Sequence, residues 1–292
     1  MKKRILAVMM AAAMTAGMMT AGVTVQAGVE DKTLIVGFDA EYPPFGYKDD
    51  NGEYVGFDLD LAQEVCGNLG WELVKKPINW DSKDMELNSG TIDCIWNGFT
   101  INGREDDYTW TDPYLNNEQV MVVAADSGIE KLADLEGKNV VVQAASAALD
   151  ALNSDDNKEL TDSFASLTEN PDYNTAFMNI DSGAADAVAV DIGVANYQIA
   201  QREAGKYVII DEPIQNEQYG IGFKKGNDEL KDMVWAEVEK LNESGEVKKL
   251  AEKYDIDENM LCISDDKDSK DEAAEEDAEA TETAEEDSKD AE

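Results

Sequence analysis

The sequence contains no histidine, only three arginines and only three cysteines. Without histidine the chain lacks the usual general base, every Ser-His or Cys-His dyad and the commonest ligand of transition metals. An enzyme built on this chain would have to use carboxylates, lysine or tyrosine. We predict no catalytic residue, no metal site and no cofactor.

The three cysteines are far apart in sequence and form no CxxC motif, so neither a zinc site nor a redox motif is indicated. Cys66 and Cys94 stand in apolar surroundings, which predicts small buried hydrophobic residues. Because the count is odd, at least one thiol has no partner within the chain.

Basic residues are also scarce: 64 acidic residues face 24 basic ones, for a formal net charge of −40. This charge excludes nucleic acids and anionic lipid surfaces as partners. The segment 264–292 holds 15 acidic residues and 3 lysines, with only Ala, Thr and Ser besides. Such a segment cannot bury apolar surface, so we predict a disordered acidic tail.

The N-terminus has the pattern of a signal peptide, with "MKKR" followed by an apolar run over 5–22. Val25 and Ala27 supply the small residues of a cleavage site, so residues 1–27 are predicted to be removed. We expect secretion across the cytoplasmic membrane to a periplasmic or extracellular location. The segment has no cysteine, which argues against a lipoprotein; the alternative is an uncleaved membrane anchor.

Between these ends, short apolar strands alternate with amphipathic helices, which predicts an α/β fold with largely parallel sheets. The predicted strands cover 33–38, 92–98, 118–125, 139–143, 186–191, 207–211 and 219–225. The predicted helices cover 56–70, 82–89, 146–153, 173–181, 192–203 and 228–254, the last broken at Gly245. Asp58 is the predicted N-cap of the first helix and Gly70 its end.

In open α/β sheets, ligands bind beyond the carboxyl ends of the strands. The polar and aromatic residues that follow these strand ends are Asp39, Glu41, Tyr42, Asn97, Gly98, Thr100, Arg104, Ser146, Ala147 and Asp191. They combine one guanidinium fork, the free amides of a helix start, a hydroxyl, carboxylates and aromatic walls. An α-amino acid carries the carboxylate and the ammonium that would satisfy this set.

Arg104 is the predicted carboxylate clamp because its fork donates two parallel hydrogen bonds, which lysine cannot do. The alternatives stay open at this point. Arg104 could form a surface ion pair with Glu105 or Asp106. Asp191 could be a plain N-cap, and Tyr42 and Trp80 could be ordinary core residues.

Several segments together also resemble a known family. In order they are "DAEYPPFGY", "VGFDLDLAQEV", "INWDSKDMELNSGTIDCIWNGFTINGRE", "WTDPYL", "LEGKNVVVQAAS", "GAADAVAVD" and "YGIGFKKGNDEL". They are similar to the polar amino-acid-binding proteins of ABC importers, solute-binding family 3, over about residues 32–256. The resemblance implies a type II periplasmic-binding-protein fold, with two lobes joined by two hinge crossovers. Lobe one would be 30–121 with 218–263, and lobe two would be 122–217.

The resemblance also assigns roles. Tyr42 would stack on the ligand, Trp80 would form a second wall, and Arg104 would clamp the carboxylate. Gly98 and Thr100 would receive the ammonium, Ser146 and Ala147 would supply the helix-start anion site, and Asp191 would pair with the ammonium. Two departures stand out: the spacing from Thr100 to Arg104 is one residue short, and "ASA" replaces the usual "GSS" or "GTT".

The sequence thus predicts a monomeric, non-catalytic receptor that binds a free polar or cationic amino acid and delivers it to the permease subunits of an ABC importer. Asp39 and Glu41, near the predicted pocket, favour the cationic class. One alternative is a dehydratase of prephenate or arogenate with Glu41 as its acid. The other is a soluble ligand-binding partner of a sensory receptor.

Overall fold

The computed structural model describes residues 32–263, so the predicted signal peptide and acidic tail lie outside the described residues. The strands are β1 (Thr33–Phe38), β2 (Glu41–Tyr42), β3 (Gly46–Lys48), β4 (Tyr54–Val55), β5 (Glu72–Pro77), β6 (Cys94–Ile95), β7 (Thr109–Trp110), β8 (Leu115–Ala124), β9 (Asn139–Gln143), β10 (Ser166–Asn170), β11 (Ala187–Asp191), β12 (Tyr207–Ile209), β13 (Gln215–Tyr219) and β14 (Gly222–Phe223). The α-helices are α1 (Phe57–Leu69), α2 (Lys83–Ser89), α3 (Ala147–Asn153), α4 (Lys158–Ser163), α5 (Tyr173–Asp181), α6 (Ile192–Ala200), α7 (Asp228–Glu243) and α8 (Glu246–Lys253).

The first of two main sheets has the strand order β5-β1-β6-β14-β7. Strand β1 is parallel to β5 and β6, whereas β14 is antiparallel to β6 and β7. Helices α1, α7 and α8 pack together beside this sheet, and their buried aliphatic residues form the larger core cluster. Helix α2 contacts β1 and β6. Because β1 and β6 are parallel neighbours, their carboxyl ends lie side by side at one edge of the sheet.

The second sheet has the order β10-β9-β11-β8-β12, and β13 also pairs with β8. Strands β9, β10 and β11 are parallel, and β8 is antiparallel to β11, β12 and β13. A small third sheet, β2-β3-β4, follows β1. Among residues 32–263, none of the helices has the length and apolar character needed to cross a membrane.

The chain passes between the two main sheets twice, between β7 and β8 and between β13 and β14. The two connections lie side by side, because Tyr114 N donates to Tyr219 O at 3.0 Å and Thr111 N donates to Ile221 O at 3.2 Å. This arrangement confirms the predicted α/β fold of two units joined by two crossovers. The predicted lobe boundary at 121 falls within β8 and the one at 218 within β13, and both boundaries stay predictions.

Most predicted elements are present, and two predictions are wrong. The run 219–225 is not one strand: Tyr219 ends β13 in the second sheet and Gly222 begins β14 in the first, because the chain changes sheets there. Asp58 does not cap α1, whose N-cap is Gly56 without a side-chain hydrogen bond. The sequence analysis also missed β5, β7, β10, α4, the small third sheet and all of β13 except Tyr219.

Asp58 is instead a fully buried carboxyl that joins three parts of the fold. Its Oδ2 accepts a hydrogen bond from Gly98 N at 2.5 Å and another from Tyr114 Oη at 3.0 Å. Asp58 therefore connects helix α1 to the loop after β6 and to the first crossover. Burial raises the pKa of Asp58 to about 7 despite these hydrogen bonds.

This raised pKa makes stability depend on pH. The unfolded carboxyl titrates near 3.8, so between that value and about 7 the folded state holds the extra proton. Stability from this group is therefore present at low pH and falls as pH rises. At about 1.4 kcal/mol per pH unit, the wild-type unfolding free energy should fall by about 4 kcal/mol across this interval, and Asp58→Asn, which resembles the protonated form, should remove this decrease.

Urea unfolding at a series of pH values measures this effect, with the exposed Asp112→Asn variant as control. An Asp58→Asn protein whose unfolding free energy keeps the wild-type slope with pH would contradict the assignment.

Candidate functional site

The carboxyl ends of β1, β6, β9 and β11 meet in a narrow pocket between the two main sheets, with a cavity volume of about 10 Å³. Its lining includes nine of the eleven residues named from the sequence for the site, together with Gln143. These residues are Tyr42, Trp80, Asn97, Gly98, Thr100, Arg104, Ser146, Ala147 and Asp191. The other two, Asp39 and Glu41, line a wider adjoining groove that shares Trp80 with this pocket.

Arg104 follows β6 and its side chain is only 11% exposed. Nη2 donates to Asp150 Oδ2 at 2.6 Å, and the guanidinium carbon lies 5.4 Å from the centroid of the Phe99 ring. Asp150 belongs to α3 beside the second sheet, so the ion pair with Glu105 or Asp106 is wrong. The guanidinium thus already donates a hydrogen bond to a carboxylate from across the cleft.

Asp191 ends β11 and is 2% exposed. Its Oδ1 accepts hydrogen bonds from Asn117 Nδ2 at 2.9 Å, Gln119 Nε2 at 2.7 Å and Tyr219 Oη at 2.5 Å. Asp191 stands at the start of α6 but makes no side-chain bond to the helix amides, so the interpretation as a plain N-cap is wrong. Its carboxylate is held inside the pocket by the strands of the second sheet.

Glu217 is a third charged group at this position that the sequence analysis missed. It is 3% exposed, and its Oε1 accepts from Thr100 Oγ1 at 2.9 Å, Asn117 Nδ2 at 2.8 Å and Gln119 Nε2 at 2.8 Å. Burial and the neighbouring charge of Asp191 raise the pKa of Glu217. Two carboxylates therefore lie beneath the pocket, linked through the same two carboxamides.

The two predicted aromatic walls differ in burial. Tyr42 is 7% exposed and its ring lies 5.9 Å from that of Tyr173, so it is both a core residue and a wall of the pocket. Trp80 is half-buried and packs edge-on against Phe99 at 5.5 Å. One face of the pocket is therefore aromatic and continuous with the core.

The loop after β6 is shaped by its glycine. Gly98 has φ 55°, and a Cβ there would lie 3.0 Å from both the Tyr42 and Tyr219 rings. Its amide donates its hydrogen bond to Asp58, so only the carbonyl oxygen of the Gly98 backbone is left to contact a ligand. Asn97 Oδ1 accepts from Asp39 N at 2.9 Å, while its buried Nδ2 has no hydrogen-bond partner within residues 32–263.

The start of α3 supplies backbone amides. Ser146 Oγ accepts from Leu149 N at 3.2 Å and donates to Gln143 O at 2.8 Å. The first bond within the helix runs from Asp150 N to Ser146 O, so the Ala147 amide precedes it. Ala147 lines the pocket. Because alanine lacks the hydroxyl of the usual Ser or Thr, only the backbone amide of Ala147 can serve as a donor here.

Two further residues cross the cleft and were missed by sequence. Lys83 Nζ donates to Ala145 O at 3.2 Å, and burial together with the nearby Arg104 lowers the pKa of Lys83. Gln143 Nε2 donates to Asp39 Oδ2 at 2.6 Å. Gln143 was detectable, because it is a polar residue at the end of a correctly predicted strand.

Asp39 lies at the border between the pocket and the wider groove. Burial raises the pKa of Asp39 to about 6. The groove has a volume of about 560 Å³ and is lined by five carboxyl groups, those of Asp39, Glu41, Asp81, Glu86 and Asp172. No group of His, Cys, Asp and Glu within the described chain is arranged to hold a metal ion.

Comparison with known proteins gives a consistent result. The family model of bacterial extracellular solute-binding proteins, family 3, matches residues 34–257. The chain is 29% identical to the L-cystine-binding protein TcyJ of Escherichia coli K12, over 77% of this chain and 83% of the relative. It is 30% identical to the arginine-binding extracellular protein ArtP of Bacillus subtilis 168, over 76% and 86%.

Among solved structures, the chain is similar to an ABC uptake transporter substrate-binding protein from Streptococcus pneumoniae with bound histidine. The TM-score is 0.74 at 29% identity, and the match covers 77% of this chain and 93% of the other. The two-lobed type II fold is thus shared with these proteins.

Ala145, next to Ser146 of the pocket, has an unfavourable backbone conformation for a residue with a side chain. Ala145 has φ 54°, which a side chain with a Cβ adopts at a cost of about 1–2 kcal/mol. We expect Ala145→Gly to raise the unfolding free energy by about 0.5–1 kcal/mol, after the greater freedom of glycine in the unfolded chain is subtracted. Thermal or urea unfolding measures this change.

The neighbouring residue provides the control, since Ala144 does not have a positive φ. Ala144→Gly should lower stability by a few tenths to 1 kcal/mol. If both glycine variants are destabilised alike, the backbone of Ala145 is not strained.

Proposed function

Because the chain belongs to the bacterial extracellular solute-binding proteins of family 3, we propose that it captures a free amino acid between its two lobes and delivers it to an ABC importer. One observation carries this proposal: Arg104 from the first lobe and Asp191 from the second line the same pocket. A guanidinium and a carboxylate on opposite walls match the carboxylate and the ammonium of one α-amino acid.

The ligand carboxylate would take the place of Asp150 at Arg104. The Asp150 side chain is 63% exposed, so its ion pair with Arg104 is worth about 0–1 kcal/mol and is readily displaced. An enclosed ligand carboxylate would gain the ~1.5–3 kcal/mol of a hydrogen bond to a charged group, with the Ala147 amide adding a donor. The ammonium would lie between Asp191, Thr100 and the Gly98 carbonyl.

For the side chain of the ligand we propose the polar or cationic class. The groove that begins at Asp39 is lined by five carboxyl groups and includes Trp80, which suits a long positively charged side chain. The relatives named for arginine and for cystine support this choice, because both ligands are long and polar.

We propose binding without catalysis. Glu41, the acid that a dehydratase would need, is exposed, accepts a hydrogen bond from Asn174 Nδ2 and lines the outer groove, not the pocket of Arg104 and Asp191. Incubation of the purified protein with prephenate and with arogenate tests this point. Formation of phenylpyruvate or phenylalanine would show an enzyme.

The remaining parts of the proposal concern location and partners. We propose a monomer that acts outside the cytoplasmic membrane, with lobe one formed by 30–121 and 218–263 and lobe two by 122–217. The partner would be the permease of an ABC importer, and ligand-dependent stimulation of the reconstituted importer's ATPase activity would distinguish it from a sensory receptor.

Arg104→Lys tests the carboxylate clamp. A thermal-shift screen of the twenty amino acids with ornithine, citrulline and cystine first identifies the ligand, since a ligand at 100 times its Kd adds about 2.7 kcal/mol. Lysine keeps the charge but not the fork, so we expect a loss of about 1.5–3 kcal/mol of binding free energy by calorimetry.

Arg202→Lys is the matched control, because Arg202 lies over the Phe177 ring outside the pocket and should leave affinity unchanged. Equal affinity of the wild type and Arg104→Lys would place the carboxylate elsewhere.

Asp191→Asn tests the ammonium contact. The asparagine oxygen can still accept from Asn117, Gln119 and Tyr219, so the apo melting temperature should change little. Affinity should fall by about 2–5 kcal/mol, the range for losing one member of a desolvated charge pair. The exposed Asp211→Asn variant is the control. An apo protein that unfolds while its folded fraction binds normally would assign Asp191 to structure alone.

A further inference from the structure

Two buried carboxylates share the same pair of donors beneath the pocket. Asn117 Nδ2 donates to Asp191 at 2.9 Å and to Glu217 at 2.8 Å, and Gln119 Nε2 donates to the same two groups at 2.7 and 2.8 Å. Each carboxamide nitrogen has two protons, one for each carboxylate. The four side chains therefore fix one another's rotation.

The cluster has more acceptors than donors. Asn117 Oδ1 and Gln119 Oε1 are buried without a hydrogen-bond partner, and neither Asp191 nor Glu217 forms an ion pair with any residue between 32 and 263. Burying charges without a cation is costly. The raised pKa of Glu217 reflects this cost, which a positively charged group from outside the chain would offset.

Glu217 also determines the direction of the Thr100 hydroxyl. Thr100 Oγ1 donates its single proton to Glu217 Oε1 at 2.9 Å, so its lone pairs are left to accept from another donor. Thr100 lines the pocket from the first lobe and Asp191 from the second. Glu217 on β13 therefore orients the Thr100 hydroxyl on one side of the cleft and, through the two carboxamides, the Asp191 carboxylate on the other.

We propose that Glu217 is the positioning residue of the ammonium subsite: it orients Thr100 and Asp191 as acceptors, and its negative charge makes the site select ligands that carry an α-ammonium group. This inference rests on the proposed function and goes beyond it, since Glu217 itself does not line the ligand pocket. Its role is exerted through Thr100 and the two carboxamides.

The test compares each amino acid with its analogue that lacks the α-ammonium group. The probe is the L-amino acid with the largest thermal shift in the screen; for L-arginine the analogue is 5-guanidinopentanoic acid. We expect Glu217→Gln to weaken binding of the amino acid about tenfold or more, the loss that about 1.4 kcal/mol corresponds to. Binding of the analogue should stay within about twofold, because it makes no ammonium contact.

Glu118→Gln is the matched control, since Glu118 is on the neighbouring strand and is absent from the cluster. It should leave both affinities unchanged. The double variant Asp191→Asn/Glu217→Gln should lose less affinity than the sum of the single losses, because both act on one ammonium.

Glu217→Asp covers the case in which the glutamine variant does not fold. It keeps the charge, so the ratio of the two affinities should stay near the wild-type ratio even if both fall. Equal weakening of both probes in Glu217→Gln, or a reduced ratio in Glu217→Asp, would overturn the inference while leaving amino-acid binding in place. A wild-type protein that binds no amino acid would overturn the proposed function and this inference together.

Discussion

The arrangement of the site and the crossovers depends on the hydrogen bonds that the buried carboxylate of Asp191 accepts. Its partners Asn117, Gln119 and Tyr219 all come from β8 and β13, the two strands that flank the crossovers. Tyr219 also pairs with Thr100 as an isolated β-bridge, which joins the second sheet to the pocket loop of the first. The proposed ligand site therefore adjoins the two crossovers, and a ligand group that meets Asp191 would act directly on the strands next to them.

The other contacts that cross the cleft differ in strength. Arg104 meets the exposed Asp150, a pair worth about 0–1 kcal/mol that a ligand carboxylate could displace. Lys83 donates to the Ala145 carbonyl and Gln143 donates to the Asp39 carboxyl, and both of these donor residues are buried. A ligand that replaced Asp150 at Arg104 would exchange a weak contact for a desolvated one, and this difference would favour the closed form.

The sequence predicted the parts of the site that stand at strand ends, because the end of a buried strand is visible as a change from apolar to polar residues. Arg104 and Asp191 were found in this way. Glu217, Asn117 and Gln119 were missed because they lie within strands that pair across the hinge. Their roles depend on the register of β13 against β8, in which Glu217 faces Asn117. Asp58 was missed for a related reason, since a helix-start aspartate normally caps and only tertiary burial shows otherwise.

The scarcity of basic residues gives the few that are present a specific meaning. In a chain with a formal net charge of −40, the surface repels anions and attracts cations over distances of about one Debye length, ~8 Å at physiological salt. Arg104 and Lys83 place positive charge at the cleft, where a carboxylate must arrive against that field. A free amino acid with a cationic side chain carries a net positive charge and meets no such barrier. Thus the excess of acid that lines the outer groove would also favour the approach of an amino acid with a cationic side chain, the class that we propose as ligand.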